Sequence, residues 1–177
     1  AKNPTTCAQV TTYVYGTTLS DSDIARRDRV RAEIYPDSDD TTTLGEGIAA
    51  ARACGRCLYI ACNLMPHGAK LRTFVEDLEP IVALGPDALI MADPGLILMV
   101  RERWPGLAIH LSVQANTVNA AAVRFWQAQG IARVILSREL SLDEIAEIRQ
   151  ACPDVALEVF VHGALCIAYS GRCLLSG

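Results

Sequence analysis

Residues 88–111 read ALIMADPGLILMVRERWPGLAIHL. The apolar run 88–92 gives way to Asp93 and Pro94, an N-cap followed by proline at the first helical position, where its missing N–H costs nothing. A helical stretch over 95–103 follows, and after Pro105 and Gly106 a second apolar run covers 108–111. Strand, helix and strand in so short a span form the repeating unit of a parallel sheet with crossover helices.

Outward from this unit the same alternation recurs about every 20 to 25 residues. Strands are expected at 57–62, 88–92, 108–111, 133–136 and 156–161, and helices near 45–54, 71–84, 95–103, 117–129 and 142–151. Several ends carry explicit signals. Ser141 to Glu144 form a capping box, with Leu140 and Ile145 placed as a hydrophobic staple. Gly85 and Gly130 follow helical stretches as C-terminal caps. Upstream the pattern fades: residues 1–43 hold 14 apolar side chains, and 21–40 mix four arginines with six aspartates and Glu33. That head is expected to be a poorly ordered arm, with one short strand over 10–15 and a charged helix over 24–34 as its candidate elements.

The regular spacing fits two architectures, a (β/α) barrel and an open, doubly wound sheet. Eight barrel units need roughly 250 residues, so in the span 44–177 a barrel would be incomplete, at about five βα units. A five-stranded flavodoxin-like sheet fits that length without remainder.

Composition narrows the function classes. The 177 residues are 51% apolar and 20% charged, as in an ordinary globular domain. A net charge of −4 gives no global field for nucleic acid or anionic lipid, so any RNA contact must be local. No apolar run approaches the roughly 18 residues of a membrane span, and the first residues lack the apolar core of a signal peptide. The expectation is a cytoplasmic protein without membrane association. In that compartment the seven cysteines stay reduced, as core filler, metal ligands or nucleophiles.

In both architectures function sits at the carboxyl ends of the strands. Residues that follow the expected strands are Asn63 and His67, then Asp93, then Ser112, Gln114 and Asn116, then Ser137, Arg138 and Glu139, then His162. Strand ends run into polar loops in any protein, but five in succession point to a lined pocket. After His162 come Cys166 and Cys173. A nucleophilic pair of His162 and Cys166, ligation of iron or zinc by the two thiolates, and two buried thiols are the alternatives that spacing leaves open. Cys54 and Cys57 are placed wrongly for a redox pair, since Cys54 closes a helix rather than opening one.

The stretch from His162 to Gly177, HGALCIAYSGRCLLSG, closely resembles the signature of the collagenase-like peptidase family, peptidase family thirty-two of unknown catalytic type. Supporting stretches run from Met91 to Leu96, from His110 to Asn116 and from Val134 to Leu142, with Pro66, His67 and 69–71. The match covers about 44–177 and is nearest to the branch that hydroxylates tRNA. This resemblance implies an N-terminal (β/α) barrel-like domain, and so displaces the open sheet. It implies oxygen-independent hydroxylation of the wobble uridine of tRNA to 5-hydroxyuridine, with prephenate as hydroxyl source. It also implies a four-cysteine iron-sulfur site, in which Cys166 and Cys173 match the first two ligands. His162, Asp93 and Arg138 become the catalytic candidates. Asn63, His67, Gln114, Asn116 and Glu139 become pocket candidates.

Two departures qualify what the resemblance implies. The other two family cysteines lie downstream of residue 177, and the usual opening strand with its Pro-Ala-Gly turn is not recognisable in 1–43. The chain is therefore expected to be a fragment, inactive alone, with 1–43 an atypical arm and 44–177 a partial barrel. Rival readings are a collagenase-like peptidase and a catalytically dead binding or assembly subunit that self-associates through exposed sheet edges.

Overall fold

The computed structural model describes residues 10–13, 40–64, 66–161 and 169–171, with side chains from 44 onward except at 69 and 70. Its elements in chain order begin with β1 (Val10–Tyr13), α1 (Asp40–Ala53), β2 (Leu58–Ala61), α2 (Gly68–Ala83) and β3 (Ala88–Met91). Then come α3 (Pro94–Arg103), β4 (Ile109–Leu111), a 3₁₀ turn (Val113–Ala115) and α4 (Ala120–Ala128). The last described elements are β5 (Arg133–Ile135), α5 (Leu142–Ala151) and β6 (Ala156–Glu158).

The six strands form one sheet in the order β1-β2-β3-β4-β5-β6, every pair parallel. This order decides between the two architectures. A doubly wound sheet reverses direction at a switch point. Here each strand is laid down beside its predecessor, and right-handed crossovers then put all the helices on one side of the sheet. The result is an arc of barrel wall.

Side-chain alternation along the strands divides the core accordingly. Leu58 and Ile60, Leu89 and Met91, and Val134 and Leu136 belong to the larger cluster, together with Ile48, Phe74, Leu96, Val100, Val123 and Ile148 from the helices. Tyr59, Ala61, Ala88, Ile90 and Ile135 point the other way and form a smaller cluster on the concave face. Because both faces are covered, β2 and β3 read as unbroken apolar runs, as buried parallel strands do. Each fully buried aliphatic side chain contributes about 1.5–3 kcal/mol, so the helix-facing layer is the main source of stability.

The expected caps are in place. Asp93 Oδ1 accepts the Leu96 N–H at 2.9 Å at the start of α3. Ser141 and Glu144 form the reciprocal capping box of α5, while Leu140 and Ile145 pack against the core below. Gly85 and Gly130 take φ of +73° and +77°, the left-handed conformation that a side chain disfavours.

Several expectations need correction. The short strand offered over 10–15 is present as β1, which pairs with β2 from Val10–Leu58 to Tyr13–Ala61 and adds a sixth strand to the five expected in the body. The charged helix over 24–34 lies outside the described residues. Helix α1 starts at Asp40, five residues before the expected start, so the compositional break near 43 falls within a helix. Helix α4 starts only at Ala120, because Ser112 and Asn119 cap two separate short elements and Asn116 breaks the path between them with φ 52° and ψ 47°. Strand β6 ends at Glu158, and Phe160 and Val161 beyond it are 48% and 89% exposed. No helix among the described residues is long and apolar enough to cross a membrane.

Candidate functional site

The strand-end residues occupy the rim of the arc, and three of them meet on one small turn. Ser112, just after β4, accepts the Gln114 N–H and starts the 3₁₀ turn. That turn ends in Asn116, whose left-handed backbone suits asparagine better than most residues. Asn116 Oδ1 then accepts the Gly171 N–H at 2.7 Å. From the loop after β5, the Glu139 carboxylate accepts the Ser170 N–H at 2.7 Å and the Ser170 hydroxyl at 2.9 Å. Ser170 Oγ in turn accepts from the Arg138 backbone N–H at 3.0 Å and from Arg138 Nε at 3.4 Å. One donated and two accepted bonds use the full capacity of a hydroxyl, and Ser170 is buried.

The electrostatics follow from this geometry. Partial burial pushes the Glu139 carboxyl upward, but hydrogen bonds from its own backbone N–H and from Ser170, with the Arg138 charge, outweigh it. The net effect holds the group below the usual carboxylate range. Gly171 sits so close that a Cβ would lie 2.5 Å from the Gln114 carbonyl oxygen and closer still to the Asn116 amide. The close approach therefore requires glycine.

The remaining candidates are dispersed. Asn63 is half-buried after β2, and its Oδ1 has no hydrogen-bond partner among the described residues. His67 occupies the N-cap position of α2, exposed and without a capping bond. Asp93 is committed to capping α3, and Gln114 is exposed on the 3₁₀ turn. His162, Cys166 and Cys173 lie outside the described residues.

A polar group on the concave face went unnoticed in the sequence. His110, in the middle of β4, is 6% exposed, packs edge-on against Tyr59 with ring centroids 4.5 Å apart, and has no partner for Nδ1 among the described residues. Burial, and then the Arg133 charge, lower its pKa to about 4, so the imidazole is neutral. Arg133 stacks over Tyr59 and bridges to Glu158 at 3.1 Å. The available signal was a titratable residue between Ile109 and Leu111, and an arginine opening an apolar strand.

The donor chemistry limits where a metal could sit. Among the described residues no three His, Cys, Asp or Glu side chains converge as a metal site. Cys62 is buried and its thiol is pushed up to about 12, so it is not a thiolate, and Cys152 is buried beside the Ala120 carbonyl. Cys54 lies after α1 next to Gly55 in the left-handed conformation, and Cys57 precedes β2, so both belong to the opposite end of the strand from the rim.

Comparison with known proteins places this architecture. The model of peptidase family U32 matches residues 30–177. This chain belongs to peptidase family U32. Within that family, the tRNA hydroxylation protein P of Escherichia coli (strain K12) is 55% identical over 165 residues, 93% of this chain and 36% of that protein. The protein of the same name from Haemophilus influenzae is 54% identical, again over 93% of this chain and 35% of its own length. The 23S rRNA 5-hydroxycytidine C2501 synthase of Escherichia coli is 32% identical over 78% of this chain and 21% of that enzyme. The U32 chain thus spans about a third of the tRNA hydroxylation proteins it matches. The solved structure of the U32 peptidase Mk0906 superposes with a TM-score of 0.55 at 17% identity, covering 70% of this chain and 52% of that one, which supports the family fold.

Proposed function

We propose that this chain is the barrel-forming part of a tRNA hydroxylase that converts the wobble uridine to 5-hydroxyuridine, independently of oxygen and with prephenate as hydroxyl source. The observation that carries the reading is the 55% identity to a tRNA hydroxylation protein across 93% of the chain. Cys166 and Cys173 would hold an iron-sulfur cluster as two of its four thiolate ligands. When bound, that cluster supplies one-electron chemistry.

The chain's own residues bind and orient. Arg138 brings a positive charge to the rim, matched to a carboxylated co-substrate such as prephenate. Asn63, His67 and Gln114 offer hydrogen-bond donors and acceptors to a nucleobase at the strand ends. Asp93 fixes the N-terminus of α3 beside them. His162, whose side chain type can donate or accept a proton, is the proposed acid–base group. Glu139 and Asn116 are committed to the Ser170–Gly171 turn.

The test is nucleoside mass spectrometry of tRNA from cells lacking the gene. Expected is a loss of 5-hydroxyuridine that the wild-type gene restores and a Cys166→Ala gene does not. Unchanged 5-hydroxyuridine in the deletion would overturn the proposal.

A further inference from the structure

We infer that His110 and Arg133 form a seat for a 2-oxo acid on the inner face of the wall, with the carboxylate on the open edge of the guanidinium and the neighbouring carbonyl oxygen on the imidazole. The inference deepens the reading above, and rests on it only where the acid is named as prephenate, which carries such an arm.

Parallel pairing lines up one inner-facing row across five strands: Ala61, Ile90, His110, Arg133 and Ala156 are successive register partners. His110 and Arg133 are therefore immediate neighbours, on strands about 4.8 Å apart, with side chains on the same face. The ring of Tyr59 supports both. It meets the imidazole edge-on at 4.5 Å between centroids, and its centroid lies 5.5 Å from the guanidinium carbon. A closed barrel fills its interior with bulky branched side chains. Here the row ends in alanine on both sides, with Ala156 exposed, which leaves space beside Arg133.

The polar atoms of this row are underused. Among the described residues the Arg133 guanidinium has one hydrogen-bond partner, Glu158, which Nη1 reaches at 3.1 Å. Nε and Nη2 share another edge and offer two parallel N–H groups, the fork that takes a carboxylate bidentately. Glu158 balances the arginine before a ligand arrives, and the five donors of a guanidinium suffice for two carboxylates. Solvent reaches the pair, whose side chains are 21% and 27% exposed. His110 is buried, and its Nδ1 has no partner among the described residues. A buried polar atom left in that state is uncommon and calls for a partner. Held neutral by burial and by the Arg133 charge, the imidazole keeps one N–H for a carbonyl oxygen and adds no charge of its own. Carboxylate and carbonyl on adjacent carbons thus match a guanidinium and an imidazole on adjacent strands. An uncharged ligand would leave the fork unfilled.

The experiment is titration calorimetry of the intact protein with prephenate, phenylpyruvate, 3-phenylpropionate and uridine. Phenylpyruvate and 3-phenylpropionate differ only in the keto group. The variants are Arg133→Lys, which keeps the charge but not the fork, and Arg133→Gln combined with Glu158→Gln, which strands neither charge. His110→Leu removes the imidazole, and Arg138→Met tests the rim. Urea unfolding first establishes that each variant is folded. Expected is binding of both 2-oxo acids to wild type, weakened at least about tenfold by Arg133→Lys and by the double variant. His110→Leu is expected to weaken both about fivefold, and 3-phenylpropionate less than about twofold.

If the acids bind and Arg138→Met alone weakens them, the inner-face seat is overturned and the co-substrate reading stands. Binding of uridine in place of the acids, sensitive to His110→Leu, also overturns the seat, as does the failure of every probe to bind at millimolar concentration. Equal weakening of phenylpyruvate and 3-phenylpropionate by His110→Leu would overturn the carbonyl contact. If phenylpyruvate binds through Arg133 and His110 and prephenate does not, the seat stands and prephenate falls as the co-substrate.

Discussion

Acidification from pH 7 to pH 5 is expected to remove about 2 kcal/mol of folding stability through His110 alone. In the unfolded chain this imidazole titrates near its ordinary 6.5, whereas burial in β4 and the nearby Arg133 charge hold it at about 4 in the folded protein. Between those values the unfolded chain carries a proton that the folded one refuses. The stability linked to His110 is therefore complete above pH 6.5 and drains away as pH falls towards 4. A separation of about 2.5 units is worth about 3 kcal/mol in full, of which about 2 kcal/mol is lost by pH 5. The side chain is 6% exposed, so little solvent screening reduces this. Nor is the Glu158 carboxylate at hand to welcome an imidazolium, since Arg133 holds it at 3.1 Å. Glu139 and Glu144 sit below the usual carboxylate range and lose their contributions only below about pH 4.5, outside this window. The assay is urea unfolding of wild type and His110→Phe at several pH values. The wild-type free energy should fall by about 2 kcal/mol more than that of the variant between pH 7 and 5. Parallel curves for the two proteins would refute the reasoning, whatever their absolute offset.

Three further expectations concern the frame around the rim. Met91→Ala, at a position with no solvent exposure between β3 and the helices, should cost about 2–5 kcal/mol in urea unfolding, and a cost below 1 kcal/mol would contradict the packing described. Asp93→Ala removes the acceptor for the Leu96 N–H and should cost about 1 kcal/mol, with Asp93→Asn recovering most of it. At pH 8 the exposed Cys54 should alkylate readily in the native protein while Cys62, buried and pushed up to about 12, stays unmodified. Equal labelling of the two by mass spectrometry would show β2 to be open.

The barrel wall was legible because each βα unit carries its own punctuation. Asp93–Pro94, the Ser141–Glu144 box and the glycines at 85 and 130 are local signals, and local hydrogen bonds obey them in the structure. Strand β1 was faint because VTTY has few apolar side chains and belongs at an edge, where one neighbour is enough. Choosing between barrel and open sheet needs strand order, which is a property of pairing between distant residues; the family resemblance supplied what periodicity could not. At the rim, the sequence marked Asn116, Arg138 and Glu139 as polar residues after strands. It gave no sign that they converge on Ser170 and Gly171, because that meeting depends on close approach across 31 to 55 residues. His110 was missed for a related reason: its burial is set by Tyr59, two strands away.

The order of the strands has a consequence for how the chain comes together. Every strand finds its partner in the unit made just before it, so the wall can grow in step with synthesis, each new βα unit zipping onto a finished edge. The Ser170–Gly171 turn follows another rule. It docks on the loops of two consecutive units, and its seat exists only when β4 and β5 already stand side by side. The turn therefore settles last, and only on a correctly assembled wall. A misregistered sheet would leave it without a place to land.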